Sequence, residues 1–148
     1  LHIGFYITLI YRIKCLRKNG HIVFKILAPL DIFFSILFKL FFKVSLPSSC
    51  IIDGGLYLPH PDGIIINSDI KIGKNCSIYQ QVTIGEWKNK KPIIEDNVII
   101  FGGAKVFGGV KIAKNSIIGA NVVINFDVSE NTIVAIDKKS FKLYQKMN

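Results

Sequence analysis

The sequence predicts an all-β main body, a parallel β-helix of about four coils with three short strands each, preceded by an apolar helical segment. Three regularities carry that prediction. Thirteen aliphatic residues, Leu46, Ile52, Leu58, Ile66, Ile72, Ile78, Ile84, Ile94, Ile100, Val106, Ile112, Ile118 and Ile124, fall six apart except across two breaks. Neither the 3.6-residue period of a helix nor the two-residue alternation of a simple strand generates a period of six, so the chain reads as a solenoid of hexapeptide repeats. Four residues after most of these aliphatics stands a second residue small enough to turn inward: Ile70, Cys76, Val82, Val98, Ala104, Val110, Ser116 and Val122. Three residues after them come Gly55, Asp69, Asn75, Asn97, Gly103, Gly109, Asn115, Asn121 and Asp127, types that tolerate a left-handed corner.

Taken from the N-terminus, residues 1–43 form an apolar basic segment with seven Lys or Arg against Asp31 alone. A helix over 5–18 is expected to stop at Asn19-Gly20, a C-terminal capping pair. A second begins near Pro29, which suits a first helical turn. In it Asp31, Ser35, Lys39 and Lys43 recur every four residues as one polar stripe on a helix otherwise made of Leu, Ile and Phe. Positive charge with so much apolar surface points to an anionic membrane surface, by peripheral contact through residues 5–43, or else to packing between subunits. Lys25, Pro29 and Asp31 interrupt any spanning segment, and the aromatics form no nucleic-acid-binding motif. No cleavable secretory signal is evident, so the expected location is the cytoplasm, at most the inner face of its membrane. The solenoid occupies 44–135 and a basic tail 136–148.

Cys15, Cys50 and Cys76 are an odd number without metal-ligand spacing, and the latter two sit at inward positions as small core residues. With His60 the only histidine of the solenoid, a zinc site of three histidines is excluded and no metal is expected.

The two breaks in the rhythm are where chemistry is expected, because repeats accept insertions at loops and loops on rigid scaffolds carry function. The first, Leu58-Pro59-His60-Pro61-Asp62-Gly63, holds His60 between two prolines. An imidazole changes charge near neutrality and is the natural base for a hydroxyl nucleophile. One coil plus the two inserted residues places Gln80 beside His60 as an orienting amide, with Asp62 a further supporting group. The second break, Gly85-Glu86-Trp87-Lys88-Asn89-Lys90-Lys91-Pro92, holds the chain's single tryptophan; Trp87 and Glu86 are its candidate acceptor-binding residues.

The run from Leu58 to Ile66, then Ile72-Gly-Lys-Asn75, Gln81-Val-Thr-Ile-Gly85 and Ile100-Phe-Gly-Gly-Ala104-Lys, resembles the hexapeptide-repeat acyltransferases, in the serine acetyltransferase branch with its sugar O-acetyltransferase relatives. The resemblance implies a left-handed coil, although parallel crossovers are ordinarily right-handed. It implies His60 as the general base for direct attack of a hydroxyl on acetyl-CoA. It also implies Gly103, Ala104, Gly119 and Ala120 along the pantetheine arm and a homotrimer with shared sites. Lys138 and Lys139, where the family's usual ending is replaced by Ala135-Ile136-Asp137-Lys138-Lys139, are candidates to meet the CoA phosphates, with a solvated basic tail as the alternative. Ile99 and Ile117 lie one coil apart at an outward position and mark the face such a trimer would cover.

Ser45 stands where serine acetyltransferases would carry an acidic partner for the histidine, and Lys91 where they would carry a second histidine. With Trp87 as a stacking surface, these departures favour a sugar acceptor, in surface polysaccharide or glycolipid synthesis. L-serine is the alternative acceptor, and a catalytically silent binding or assembly solenoid the alternative of another class.

Overall fold

A computed structural model describes residues 2–19, 26 and 28–137. Among the described residues, α1 (Ile3–Lys18) and α2 (Ala28–Phe42) precede twelve strands of two or three residues. These are β1 (Ile51–Ile52), β2 (Ile65–Ile66), β3 (Lys71–Ile72), β4 (Ser77–Ile78), β5 (Thr83–Gly85), β6 (Ile93–Ile94), β7 (Ile99–Ile100), β8 (Lys105–Phe107), β9 (Lys111–Ile112), β10 (Ile117–Ile118), β11 (Val123–Ile124) and β12 (Ile133–Val134). All ladders are parallel, and they form three sheets ordered β2-β5-β8-β11, β1-β3-β6-β9 and β4-β7-β10-β12. Single bridges add Ser45 beside Ile65, Val128 beside Ile112 and Tyr57 beside Ser77, one to each sheet. The solenoid therefore has about five turns, one more than the hexads alone suggest, because Ser45, Tyr57 and Val128 complete turns at its two ends.

The core is the predicted one. Of the thirteen rhythmic aliphatics only Leu46 is less than fully buried, and all eight inward companions are buried with them. Ser116, a buried polar residue, donates its hydroxyl to the Ser129 carbonyl at 2.8 Å, which removes the cost of its burial. Left-handed corners fall at Asp69, Asn75, Asn97, Gly103, Asn115 and Asn121 as expected, and also at Gln81, with φ near 58°. Asn115 stands at the centre of a side-chain ladder, accepting from Asn97 and donating to Asn131, each at 3.0 Å. Two corners differ from expectation. Gly108 rather than Gly109 takes the positive φ, and Asp127 is not left-handed. There the last turn is two residues short, pairing Ile117 with Ile133, and the Asp127 carboxylate instead accepts from the Lys111 amide at 2.8 Å.

α1 follows the predicted span and ends at Asn19, whose amide donates to the carbonyls of Arg17 and Cys15. It packs on the first turn through Ile7 and Tyr11, both buried. Gly4 makes this approach possible: a Cβ there would lie 2.2 Å from the Leu58 carbonyl oxygen. The Tyr11 hydroxyl donates to the Cys50 carbonyl at 2.8 Å, and the Arg12 guanidinium to the carbonyls of Ile52 and Asp53.

Candidate active site

The first break projects His60 outward from a fixed base. Leu58, Pro59 and Pro61 are buried around it while the imidazole itself is exposed, and both prolines restrict its backbone. The His60 carbonyl accepts from the Asp62 amide at 2.9 Å, and the Asp62 carbonyl in turn accepts from Gln81 of the next turn at 2.7 Å. The tip of the insertion is thereby tied to the coil beyond it. The Asp62 side chain is exposed.

The expected amide partner is not there. No hydrogen bond joins His60 to Gln80, whose side-chain oxygen is buried without a partner. Gln80 is tucked instead against Gly102 of the following turn, where a Cβ would come within 2.8 Å of its amide nitrogen. The inserted pair shifts the register so that Tyr79 is the aromatic neighbour of the imidazole, with ring centroids 6.2 Å apart. Tyr79 in turn stacks at 4.9 Å on Phe101, one turn further on. This column of three rings was legible only in part: the stacking count reached position 80, and one residue's difference in register selects the outward-facing Tyr79.

The corner that bears His60 lies between the sheets of β4 and β2, and the same corner in later turns carries Gly103, Gly119 and Ala120. Gly103 has φ near 77°, and a Cβ there would meet the Asn121 side-chain oxygen at 2.0 Å, so no larger residue fits. Its amide donates to the Gln80 carbonyl and that of Gly119 to the Val134 carbonyl, so both amides are engaged within the coil. Ala104 is turned inward and fully buried, with its amide on Phe101 and its carbonyl on Thr83. Ala120 is exposed. Lys138 and Lys139 lie outside the described residues.

The second break lies at a different corner, between β5 and β6. Trp87 and Lys90 exchange both backbone hydrogen bonds at 3.0 Å across Lys88 and Asn89, each with positive φ. This is a two-residue hairpin of the primed type that matches strand twist. It holds the Trp87 ring 62% exposed. At its foot the Lys91 ammonium contacts Asp69 at 2.9 Å and Glu86 at 3.6 Å. Hydrogen bonding to Lys91 holds the Asp69 carboxyl below its ordinary range, and the same bond to Asp69 raises the ammonium. The Asp69–Lys91 pair follows from adding the second insertion to one coil length, a count the sequence permits. His60 and Trp87 occupy different corners, so one chain does not bring them together.

Among the described residues no three His, Cys, Asp or Glu side chains gather as a metal site. Burial pushes the thiols of Cys50 and Cys76 up, away from the reactive thiolate form.

A parallel solenoid of hexapeptide repeats, with an exposed, proline-braced histidine at its first break, defines the class; in sequence and fold the chain is similar to hexapeptide-repeat acyltransferases of the serine acetyltransferase branch. No family model matches it. The serine acetyltransferase of Buchnera aphidicola is 37% identical over 70 residues, 44% of this chain and 27% of that enzyme. That of Staphylococcus xylosus is 44% identical over 55 residues, 34% of this chain and 26% of that enzyme. Serine acetyltransferase isoform 3 of Entamoeba histolytica, solved with cysteine, superposes with a TM-score of 0.77 at 27% identity, covering 99% of this chain and 52% of its own. The Neisseria gonorrhoeae enzyme, solved with serine, gives 0.75 at 28% identity, covering 91% and 55%. The chain thus spans about half the length of the solved relatives and about a quarter of the curated ones.

Proposed function

We propose that the chain transfers an acetyl group from acetyl-CoA to the hydroxyl of L-serine, with His60 as general base. The observation that carries this reading is the likeness, in sequence and in fold, to serine acetyltransferases. The acceptor thereby differs from the sugar that Trp87, Ser45 and Lys91 suggest. The imidazole of His60 takes the hydroxyl proton while the oxygen attacks the thioester carbonyl. The new C–O bond forms, the C–S bond breaks, and the departing sulfur takes up a proton, leaving the acetyl ester and the free thiol of CoA. Gly103, Gly119 and Ala120, on the His60 corner, give a pantetheine arm close access to backbone.

The two breaks occupy different corners, which supports a site completed by a second copy, with one chain's His60 opposite its neighbour's hairpin. A homotrimer covering Ile99 and Ile117 satisfies this. In register, these isoleucines stack between Ser77 and the exposed Ile133 on one sheet face.

A sugar hydroxyl is the second reading. It rests on the exposed Trp87 ring and on Lys91, already bound to two carboxylates where the resemblance calls for a histidine. Thiol release from acetyl-CoA, measured with L-serine and with a panel of sugar nucleotides and polysaccharide fragments, separates them. Turnover with sugars alone would overturn the serine reading. Absence of any CoA affinity would leave a binding or assembly solenoid instead.

A further inference from the structure

We infer that the outward face of α2, with the cationic cleft at its border, docks on a lipid bilayer rich in anionic headgroups and lies along that surface. α2 is apolar on two sides. Phe38 and Phe42 pack against the core. On the opposite side Ile32, Phe33, Ile36 and Leu40 follow helical spacing and stand 48–69% exposed, flanked by Leu30 and by Phe41 at 70%. A face that rejects water so strongly, on a helix whose inner side is already satisfied, needs an outer partner.

Charge selects that partner. Residues 1–43 carry seven Lys or Arg and one acid; the exposed Lys39 borders the apolar face on α2, and the exposed Lys43 stands just past the helix end in a left-handed corner. From there Lys side chains can lay their stems along the apolar surface with the ammonium at headgroup level. Beside them a cleft of about 510 Å³ opens between the helices and the first turn of the solenoid. Lys14, Arg17, Lys39 and Ser48 line it, and Ile32 and Ile36 belong to both cleft and apolar face. An apolar stripe edged by cations is the pattern of an interfacial helix, drawn to anionic lipid and anchored by buried hydrocarbon. A second copy of this chain would set the same cations against each other, which argues against self-pairing through this face. The 15 residues of α2 extend about 22 Å, short of the ~30 Å hydrocarbon thickness. Among the described residues no helix is long and apolar enough to cross a membrane.

This inference concerns where the helices seat the chain and holds whether or not the solenoid transfers acetyl groups. Its test is co-sedimentation of the full chain with phosphatidylcholine vesicles, with and without phosphatidylglycerol. Binding is expected only with the anionic lipid. Lys39→Gln with Lys43→Gln, at exposed positions, should weaken it about fivefold per lysine. Ile36→Glu with Leu40→Glu should weaken it at least about tenfold while circular dichroism stays unchanged. Should the glutamate pair fail to fold, the lysine pair carries the test alone. Failure to bind, equal binding to neutral and anionic vesicles, or binding that neither pair weakens would overturn the inference. So would light scattering that finds this face buried in a self-association which anionic vesicles do not disrupt.

Discussion

Replacing His60 by alanine should separate chemistry from folding, because the structure gives its side chain an exposed position and no hydrogen bond that the fold depends on. Surface substitutions away from special features change stability by no more than about 0.5 kcal/mol. The prolines on either side remain, so the loop keeps its course. A positioned general base contributes about 10²–10⁴-fold to rate, or roughly 2.7–5.4 kcal/mol of transition-state stabilisation. His60→Ala should therefore lower kcat and kcat/KM by the same factor in that range, with KM for acetyl-CoA nearly unchanged, as for an interaction made only in the transition state. Steady-state thiol release gives the rates, and thermal unfolding followed by circular dichroism gives the stability. If turnover falls less than about tenfold while the fold is retained, a well-placed base cannot be His60. A matched loss of activity and thermal stability would instead make His60 a structural residue.

Four further outcomes can be measured. Incubation with labelled acetyl-CoA and no acceptor should leave the protein unlabelled by mass spectrometry, since Cys50 and Cys76 are buried with raised thiols; a stoichiometric adduct would contradict direct transfer. Ile100→Ala, at a fully buried position in the middle of the stack, should cost about 2–5 kcal/mol in denaturant unfolding; a loss below about 1 kcal/mol would mean the core collapses around the gap. Ile117→Asp should dissociate the proposed trimer in light scattering by placing an unpaired charge in the covered face, and a variant that stays trimeric would put the interface elsewhere. Asp69, with its folded pKa depressed by Lys91, keeps the pair's contribution above its ordinary unfolded value and loses it as pH falls through the lower folded one. A carboxyl NMR titration should accordingly show its midpoint rising towards the ordinary aspartate range in Lys91→Met, and an unchanged midpoint would assign the depression to another group.

How much was legible follows from what each residue's role depends on. The hexad aliphatics and their small companions announce themselves because inward-facing positions recur with the coil, and burial permits few residue types there. Corners were legible where Asn, Asp or Gly takes a positive φ, and failed at Gly109, where Gly108 takes the turn, and at Asp127, where the chain shortens its last turn by two residues and the period no longer holds. His60 stood out by its place at a break. Its neighbour did not: register inside an insertion depends on backbone hydrogen bonds, here Gln81 to Asp62, that no residue type signals, so a count of residues points to Gln80 where the fold sets Tyr79. The sequence preference for a sugar rested on Trp87, Ser45 and Lys91 alone. The relatives, matched over whole runs of residues, are serine acetyltransferases, and the proposed acceptor rests on that likeness.

The contact of α1 with the first turn bears on length. Every strand of a solenoid offers one row of backbone groups to the next turn, and a terminal turn offers its row to whatever arrives, including another molecule's terminal turn. In β1 the alternation of the ladder sends the amides of Ile51 and Asp53 to the following turn and leaves the carbonyls of Cys50 and Ile52 facing the open end. Those two carbonyls are the ones taken by Tyr11 and Arg12. The helix thus acts as a chain terminator for growth along the solenoid axis. Tyr11→Phe with Arg12→Ala would leave those two carbonyls without their partners while Ile7 and Gly4 still hold the helix over the first turn, and the expected consequence is a less stable first turn rather than loss of the coil itself.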